Sequence, residues 1–512
     1  MLERPHDIAV GRASARRDAA HRAEARPAWI PLVLAASLLA GCTMGPDYVK
    51  PAVDTPTAFI YEPKDAADTA NTTWWKQFDD PVLDALIAQA LANNQNVKVA
   101  AANVEQAAGV LTQTRSQLFP QLGYNAGAGR ARTSESTGTP LLSEGIPNPQ
   151  SSYQALLSAT WEIDLWGRIQ RLSEASRANL LATDEARRGV ILSLVSSVAT
   201  NYLTLRGLDE QLAISKRTLA AYGESVRLYT LQFQYGQVSQ MQVSQVQSQY
   251  ETAAVQIPLL ESQIAQTENA INVLLGRNPG PIPRGKSIYD LALPKVPTGV
   301  PSELLTRRPD LLQAEQNLVA ANAQIGAAKA LYFPTISLTG AFGNSSVALN
   351  NLFTGPARTW SYVGQAAGPI FTFGAVSGQV AQAEGAQQAA LASYRYSIQN
   401  AFADVENALV ANQKLGQQLA AQQKLVDALS SYARLAKLQF DGGYTSYTTV
   451  LQAEQTLFPA ELQLASLRAS LFSSSANIYK AMGGGWVVEA DKLTGDPAPP
   501  PAGRSTGMPP LF

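Results

Sequence analysis

The sequence has almost none of the side chains on which enzyme and metal chemistry depends. It holds one cysteine and two histidines in 512 residues, and both histidines, His6 and His21, precede a segment that reads as a cleaved leader. Ser-His and Cys-His nucleophile pairs, histidine metal sites and cysteine zinc or redox centres therefore lack their parts. Charge is scarce too, at 15% of residues with a formal net charge of −1. Without residues 1–41 the chain keeps 36 acids and 33 bases, a balance that implies no polyanionic partner and no nucleic acid. Five methionines and no remaining histidine give no sign of a copper or silver path. Long hydrophobic runs are missing as well: the stretch Trp29 to Ala40 is shorter than the about 20 residues a spanning helix needs. The expectation is a protein that is not an enzyme and holds no metal.

That one apolar stretch has a specific look. Arg4, Arg12, Arg16, Arg17, Arg22 and Arg26 precede it, and it ends in Leu39-Ala40-Gly41-Cys42. Residues 1–41 read as a lipoprotein signal peptide, with Cys42 as the lipidation site and its covalent lipid the only cofactor expected. Thr43 rather than Asp follows, which by resemblance to bacterial lipoproteins favours delivery to the outer membrane.

What is present is a long-period repeat. Leu231-Gln232-Phe233-Gln234-Tyr235-Gly236 returns as Leu438-Gln439-Phe440-Asp441-Gly442-Gly443, 207 residues on. The same offset carries Trp166-Gly167 onto Phe373-Gly374 and Leu275-Gly276 onto Met482-Gly483. Leu118-Phe119-Pro120-Gln121-Leu122 returns as Tyr332-Phe333-Pro334-Thr335-Ile336 at an offset of 214. Solenoids repeat every 20–50 residues or so, roughly, so this is a tandem duplication of one large unit. The copies span 81–276 and 303–483. An extended segment at 42–80 precedes them, a linker at 277–302 joins them, and a Pro- and Gly-rich tail at 484–512 is expected to be poorly ordered.

Each copy holds one strand pair, at about 119–164 and about 333–373. Leu122, Tyr124, Ala126 and Ala128 alternate with Gln121, Gly123, Asn125 and Gly127. Ala155, Leu157, Ala159, Trp161 and Ile163 alternate with polar partners in the same way, as do Ile336, Leu338 and Phe342; Trp360, Tyr362 and Ala366 lead the fourth segment. Lengths near 10 residues and flanking aromatics fit outer-membrane strands. Four strands cannot close a barrel, and in lipid each unpaired backbone group costs several kcal/mol. Other chains must then supply strands: two copies at least, while three would give twelve strands and room for a pore.

The remainder reads as helix, so the fold class is mostly α with a membrane β-barrel. From Arg168 to about Tyr235 there is no proline, and Val195, Val198, Tyr202, Leu205, Leu212, Leu219 and Val226 hold the steps of a packing seam. Nearly 70 helical residues would span about 100 Å. Gly236 and Gly443 interrupt the pattern at hairpin tips. Helical periodicity resumes through Gln245 to Leu274 and Thr449 to Met482, with Pro258 and Pro459 expected to kink or break it. Single shorter helices, Pro81 to Gln117 and Glu303 to Leu331, are expected before each strand pair.

Five motifs then stand in order: Gly45-Pro46-Asp47-Tyr48 with Pro51; Trp75 with Phe78-Asp79-Asp80-Pro81; Trp161-Glu162-Ile163-Asp164-Leu165-Trp166-Gly167-Arg168; Leu304-Leu305-Thr306-Arg307-Arg308-Pro309-Asp310; and Gly368-Pro369-Ile370-Phe371. In this order and spacing the chain resembles the bacterial outer-membrane efflux proteins, in their OprM/NodT-like lipoprotein branch. The resemblance implies a homotrimer in the outer-membrane lipid, with a shared twelve-stranded barrel continued by a long periplasmic α-helical barrel. It implies the exit duct of a tripartite pump, working with a periplasmic adaptor and an inner-membrane RND-type transporter to export small organic compounds such as antibiotics. Residues around 280–302 and the tail would join a belt around the tunnel. Export of proteins or metal cations, or a pore-less lipoprotein bridging the periplasm, are the alternatives. Arg307, Arg308 and Asp310 read as a helix-start ion-pair network rather than a ligand site.

The resemblance also directs attention to the hairpin tips. Family members pinch the tunnel with residues on the helix after the second-copy glycine, often with Asp at the position of Gln452 and sometimes at Thr449. The candidate gate here is Tyr447, Thr448, Thr449 and Gln452, with Gln242 in the first copy, and it is not acidic. Thr448 and Gln452, four apart, share a face. Closure by size and hydrogen bonding is expected, with weak cation preference and little change of conductance from about pH 4 to 7, where carboxylates titrate; Glu454 is the nearest acid. Gly236, Ser239, Gly443 and Ser446 are the candidate adaptor-docking tips.

Overall fold

A computed structural model describes residues 43–62, 71–134, 148–297, 299 and 301–494. The chain divides into the units Met1–Cys42 and Thr43–Phe512, and every described residue belongs to the second. The expected leader, the expected lipidation site Cys42 and the tail from 495 lie outside the described residues.

A 3-10 turn at Trp74–Phe78 leads into the first copy: α1 Pro81–Asn93, α2 Gln95–Ser116, β1 Gln121–Ala131, β2 Gln150–Ile163, α3 Arg168–Gln234 and α4 Gln240–Leu274. The second copy repeats the order as α5 Pro301–Arg307, α6 Pro309–Ala330, β3 Thr335–Ser346, β4 Arg358–Ala367, α7 Ala375–Asp441 and α8 Tyr447–Ala481, and a short α9, Trp486–Asp491, follows. α3 and α7 both have 67 residues, α4 and α8 both 35. At 1.5 Å per residue the long pair are about 100 Å each. α3 packs on α2, α4, α6 and α8, and α7 packs on α6 and α8, so the two copies share a helical core. Val195, Val198, Tyr202 and Leu205 are buried in it with Ala469 and Phe472 of α8, while Val405 and Leu409 of the second copy are buried in a separate cluster.

The helices expected over 81–117 and 303–331 are each divided in two, at Asn94 and Arg308. Asn94 accepts hydrogen bonds from the amides of Asn96 and Val97 and so starts a new helix. Arg308 precedes Pro309, whose ring disfavours helical backbone at the residue before it. The two breaks do the same work: Asn94 Nδ2 donates to Leu274 O at 2.8 Å and Arg308 Nη1 to Ala481 O at 2.9 Å, capping the ends of α4 and α8. Gly276 and Gly483 follow at φ +68° and +58°. A Cβ on either would come within 2.3 Å of Asn93 O or Arg308 Cγ, so glycine serves both the turn and the close approach. Arg308 also pairs with Asp310 at 2.7 Å and Asp404 at 3.0 Å, and Arg307 with Glu303 at 2.8 Å, an ion-pair network as expected.

Two further expectations are corrected. Of the kink or break expected at Pro258 and Pro459, the break is absent: α4 and α8 run through both prolines, which are exposed at the protein surface. The chain after Gly483 is also ordered as far as Thr494. Trp486 is fully buried, packing edge-on against Trp74 and Trp75 with centroids 6.0 and 5.6 Å away, and Arg187 forks onto Asp491. A buried indole outweighs a Gly-rich composition.

The sheet runs β1-β2-β3-β4, all antiparallel. β2 begins at Gln150. Directly opposed residues share a face, so the register decides what lies together. Tyr124 faces Leu157, Leu157 faces Phe342 and Phe342 faces Trp360, while Trp161 faces Leu338 and Gly340 faces Tyr362. All four alternating apolar sets therefore fall on one face. The other carries Gln121, Asn125, Ser158, Thr160, Thr339 and Ser361. Among the described residues the outer edges of β1 and β4 are unpaired.

Residues 43–62 strap the two copies together. Met44 N donates to Trp166 O, and Arg171, 5% exposed, donates to Met44 O and pairs with Asp47 at 2.7 Å. Asn322 donates to Pro46 O, Lys50 pairs with Glu315, and Ile60 N donates to Glu406.

Candidate functional site

Both hairpin tips are built by the same hydrogen bonds. Gly236 N donates to Phe233 O and Gln237 N to Gln232 O; 207 residues on, Gly443 N donates to Phe440 O and Tyr444 N to Gln439 O. This pairing closes a helix with a left-handed residue, and Gly236 and Gly443 stand at φ +69° and +76°. A Cβ on either would meet nothing within 4 Å. The backbone demands glycine there, and the space above it is open.

The helices that start after the tips differ. Ser239 and Gln242 form a reciprocal capping box, with Ser239 N donating to Gln242 Oε1 at 2.9 Å. Gln242, expected at the gate, is thus half-buried and committed to the cap. Ser446 makes no side-chain cap, and Thr449 bonds Thr445 at 2.9 Å instead.

Of the second-copy candidates, two pack and two face outward. Tyr447 lies against Tyr229 with ring centroids 4.5 Å apart and edge-on to Phe440 at 5.1 Å, and its hydroxyl donates to Ser225 Oγ at 2.7 Å. Burial pushes the Tyr447 phenol up, opposed by the Ser225 hydrogen bond. Thr449 is half-buried. Tyr447 and Thr449 therefore make contacts that hold α8 in position. Thr448 and Gln452 are exposed on one face of α8, joined by Gln455. Glu454 turns the other way, half-buried, with its Oε2 shut off from solvent and without a hydrogen-bond partner among the described residues. Burial raises its pKa, with Lys437 opposing.

One exposed residue was missed. Met241, 74% exposed, is the first-copy counterpart of Thr448 at the offset of 207, which could have found it. The described residues hold no cluster of three or more metal-ligating side chains, and no described helix is long and apolar enough to cross a membrane.

At the other end of α3 the sheet begins, and two indoles mark the junction. Trp161 Nε1 donates to Leu118 O at 3.0 Å and Trp166 Nε1 to Pro334 O at 2.8 Å, with Trp166 stacked on Phe333 at 4.6 Å. Thr43 touches the same corner: a Cβ on Gly167 would lie 2.7 Å from its methyl.

The family model described as outer membrane efflux protein matches the chain twice, at residues 86–277 and 300–484. The solvent efflux pump outer membrane protein SrpC of Pseudomonas putida is 37% identical over 459 residues, 88% of this chain and 97% of its own. The probable outer membrane lipoprotein SilC of Salmonella typhimurium is 34% identical over 457 residues, 88% and 97% of the two chains. Among solved structures, the open state of the Neisseria gonorrhoeae MtrE outer membrane channel aligns with a TM-score of 0.79 at 32% identity, covering 87% of this chain and 99% of that one. These relatives are named as an efflux pump protein, a lipoprotein and a channel of the outer membrane, not as enzymes. With a fold of duplicated long helices and one open sheet, and with matches over most of its length, the chain belongs to the outer membrane efflux protein family.

Proposed function

We propose that the protein is the outer-membrane exit duct of a tripartite efflux pump, in which three copies close one twelve-stranded barrel and continue it as a helical tunnel into the periplasm. The observation that carries this is the sheet itself. Four strands with one apolar face and two unpaired edges are unstable in lipid alone, and they run directly into helices of about 100 Å. Exposed apolar side chains along the helices, Leu425, Tyr432 and Leu435 on α7 and Val255 and Leu259 on α4, suit contact with further copies. The strap brings Thr43 beside Gly167 at the base of the sheet, a position from which a lipid on Cys42 would reach the membrane.

The cargo is small organic compounds, a reading supported by the solvent efflux named for SrpC. A periplasmic adaptor would dock at the open space around Gly236 and Gly443, and an RND-type transporter would supply the energy. Thr448 and Gln452 would narrow the tunnel without a ring of charge. Native mass spectrometry of the mature protein from outer membranes tests the assembly: a lipidated trimer is expected. A folded monomer would overturn the shared barrel and favour a pore-less bridging lipoprotein.

A further inference from the structure

On α8, Glu454 stands seven residues after Tyr447 and so shares its face, turned toward α3 and α7. Two apolar clusters flank it along this seam. Nearer the tip, Tyr229, Val246 and Leu451 pack with Val226 and Tyr447; farther along, Ile214, Tyr222, Phe458 and Ala465 pack together. A carboxyl group thus interrupts an otherwise apolar seam, with a buried oxygen that has no partner among the described residues.

The groups around it do not neutralise it. Lys437 of α7 is the cation that favours its charged form, but it is exposed and pairs with Asp441 at 3.4 Å. From α3 it faces Tyr222, whose phenol is pushed up by burial first and by Glu454 next; Tyr447 of its own helix is also pushed up. Neighbouring charges are paired elsewhere, Arg227 with Glu224 and Arg217 with Glu461, while on α4 Gln247 donates to Glu251.

We infer that Glu454 is a proton-operated latch on the tip: protonated, it lies in the seam and lets α8 close on α3; ionised, it draws water in and frees the α7-α8 hairpin. The inference rests on the tip being the gate. Its direction follows from burial. The closed seam holds the proton more tightly than an opened, hydrated one, so closure is favoured fully below the ordinary carboxylate pKa and loses that advantage as pH rises through the raised value. Each unit of separation is about tenfold in the ratio of closed to open. Passage through an open pore is set by the uncharged face of Thr448 and Gln452, so the latch changes how often the tip opens and leaves the conductance of the open pore alone.

Hydrogen exchange of the full-length protein in lipid nanodiscs, followed by mass spectrometry of residues 447–458 and corrected for the intrinsic pH dependence of exchange, tests the latch. Between about pH 4.5 and 8, the range around a raised carboxylate, protection in the wild type is expected to fall several-fold, and in Glu454→Gln to stay flat at the acid value. The open fraction in planar bilayers should follow the same pattern. A wild type with flat protection overturns the latch, and so does a step that survives in Glu454→Gln. Should Glu454→Gln fail to assemble, Glu454→Leu supplies the same test. A protein that never conducts would overturn the duct while exchange still reports on the seam.

Discussion

Gly443 combines two demands that a substitution would separate. Its φ of +76° strains any side chain with a Cβ, by about 1 kcal/mol for Ala, while the open space above it leaves room for a bulky group. Gly443→Trp is therefore expected to leave trimers in the outer membrane, seen as heat-resistant bands, and to abolish resistance by blocking the adaptor. Full resistance in that variant would remove the tip from the docking surface. At Thr448 and Gln452, single-channel recordings should give weak cation preference and an open-pore conductance that changes little from about pH 4 to 7. Gln452→Asp should raise cation preference. Thr448 and Gln452 could be paired from their spacing of four. The box Ser239-x-x-Gln242 was equally legible as a cap, and it engages the Gln242 side chain. The burial of Glu454 was not legible, because an acid on a polar helix reads as solvated until the fold closes solvent off from one of its oxygens.

At the level of elements, the helix ends carry measurable weight. Ser239→Ala should destabilise the start of α4 by about 1 kcal/mol, whereas Ser446→Ala, whose hydroxyl caps nothing, should change α8 far less. Exchange protection of the two first turns compares them directly. Arg308 holds two carboxylates and the end of α8 while 8% exposed, so Arg308→Ala should cost about 3 kcal/mol and lower the melting temperature of the assembled protein. The long helices were legible because their apolar seam persists for nearly their whole length. The breaks at Asn94 and Arg308 were not, since apolar residues continue on both sides. The breaks come from Asn94 capping the next helix and from the proline after Arg308, and only the fold shows each side chain reaching a carbonyl 180 or 173 residues away in sequence. α9 escaped notice for the same reason: its stability comes from Trp74 and Trp75, not from its own composition.

For the whole molecule, adjacent residues on β2 give the sharpest test. Leu157 lies on the apolar face and Ser158 on the polar one. Leu157→Arg should cost about 2–4 kcal/mol in the membrane and deplete trimers from the outer membrane, whereas Ser158→Arg should insert normally and alter conductance. Equal insertion of both variants would mean that the apolar face does not meet lipid.

Period-2 and helical periodicity, repeated at offsets of 207 and 214, determined by themselves the duplication, the strand pairs, the long helices and the hairpin tips. Each depends on local backbone geometry and on the spacing of apolar side chains, which a linear chain displays. Only the tertiary structure decided that the four apolar sets share one face, that the strap at 43–62 binds both copies, and that Glu454 has one carboxyl oxygen buried while Thr448 and Gln452 are exposed. Those facts depend on which segments meet, and burial is a property of the meeting rather than of either residue.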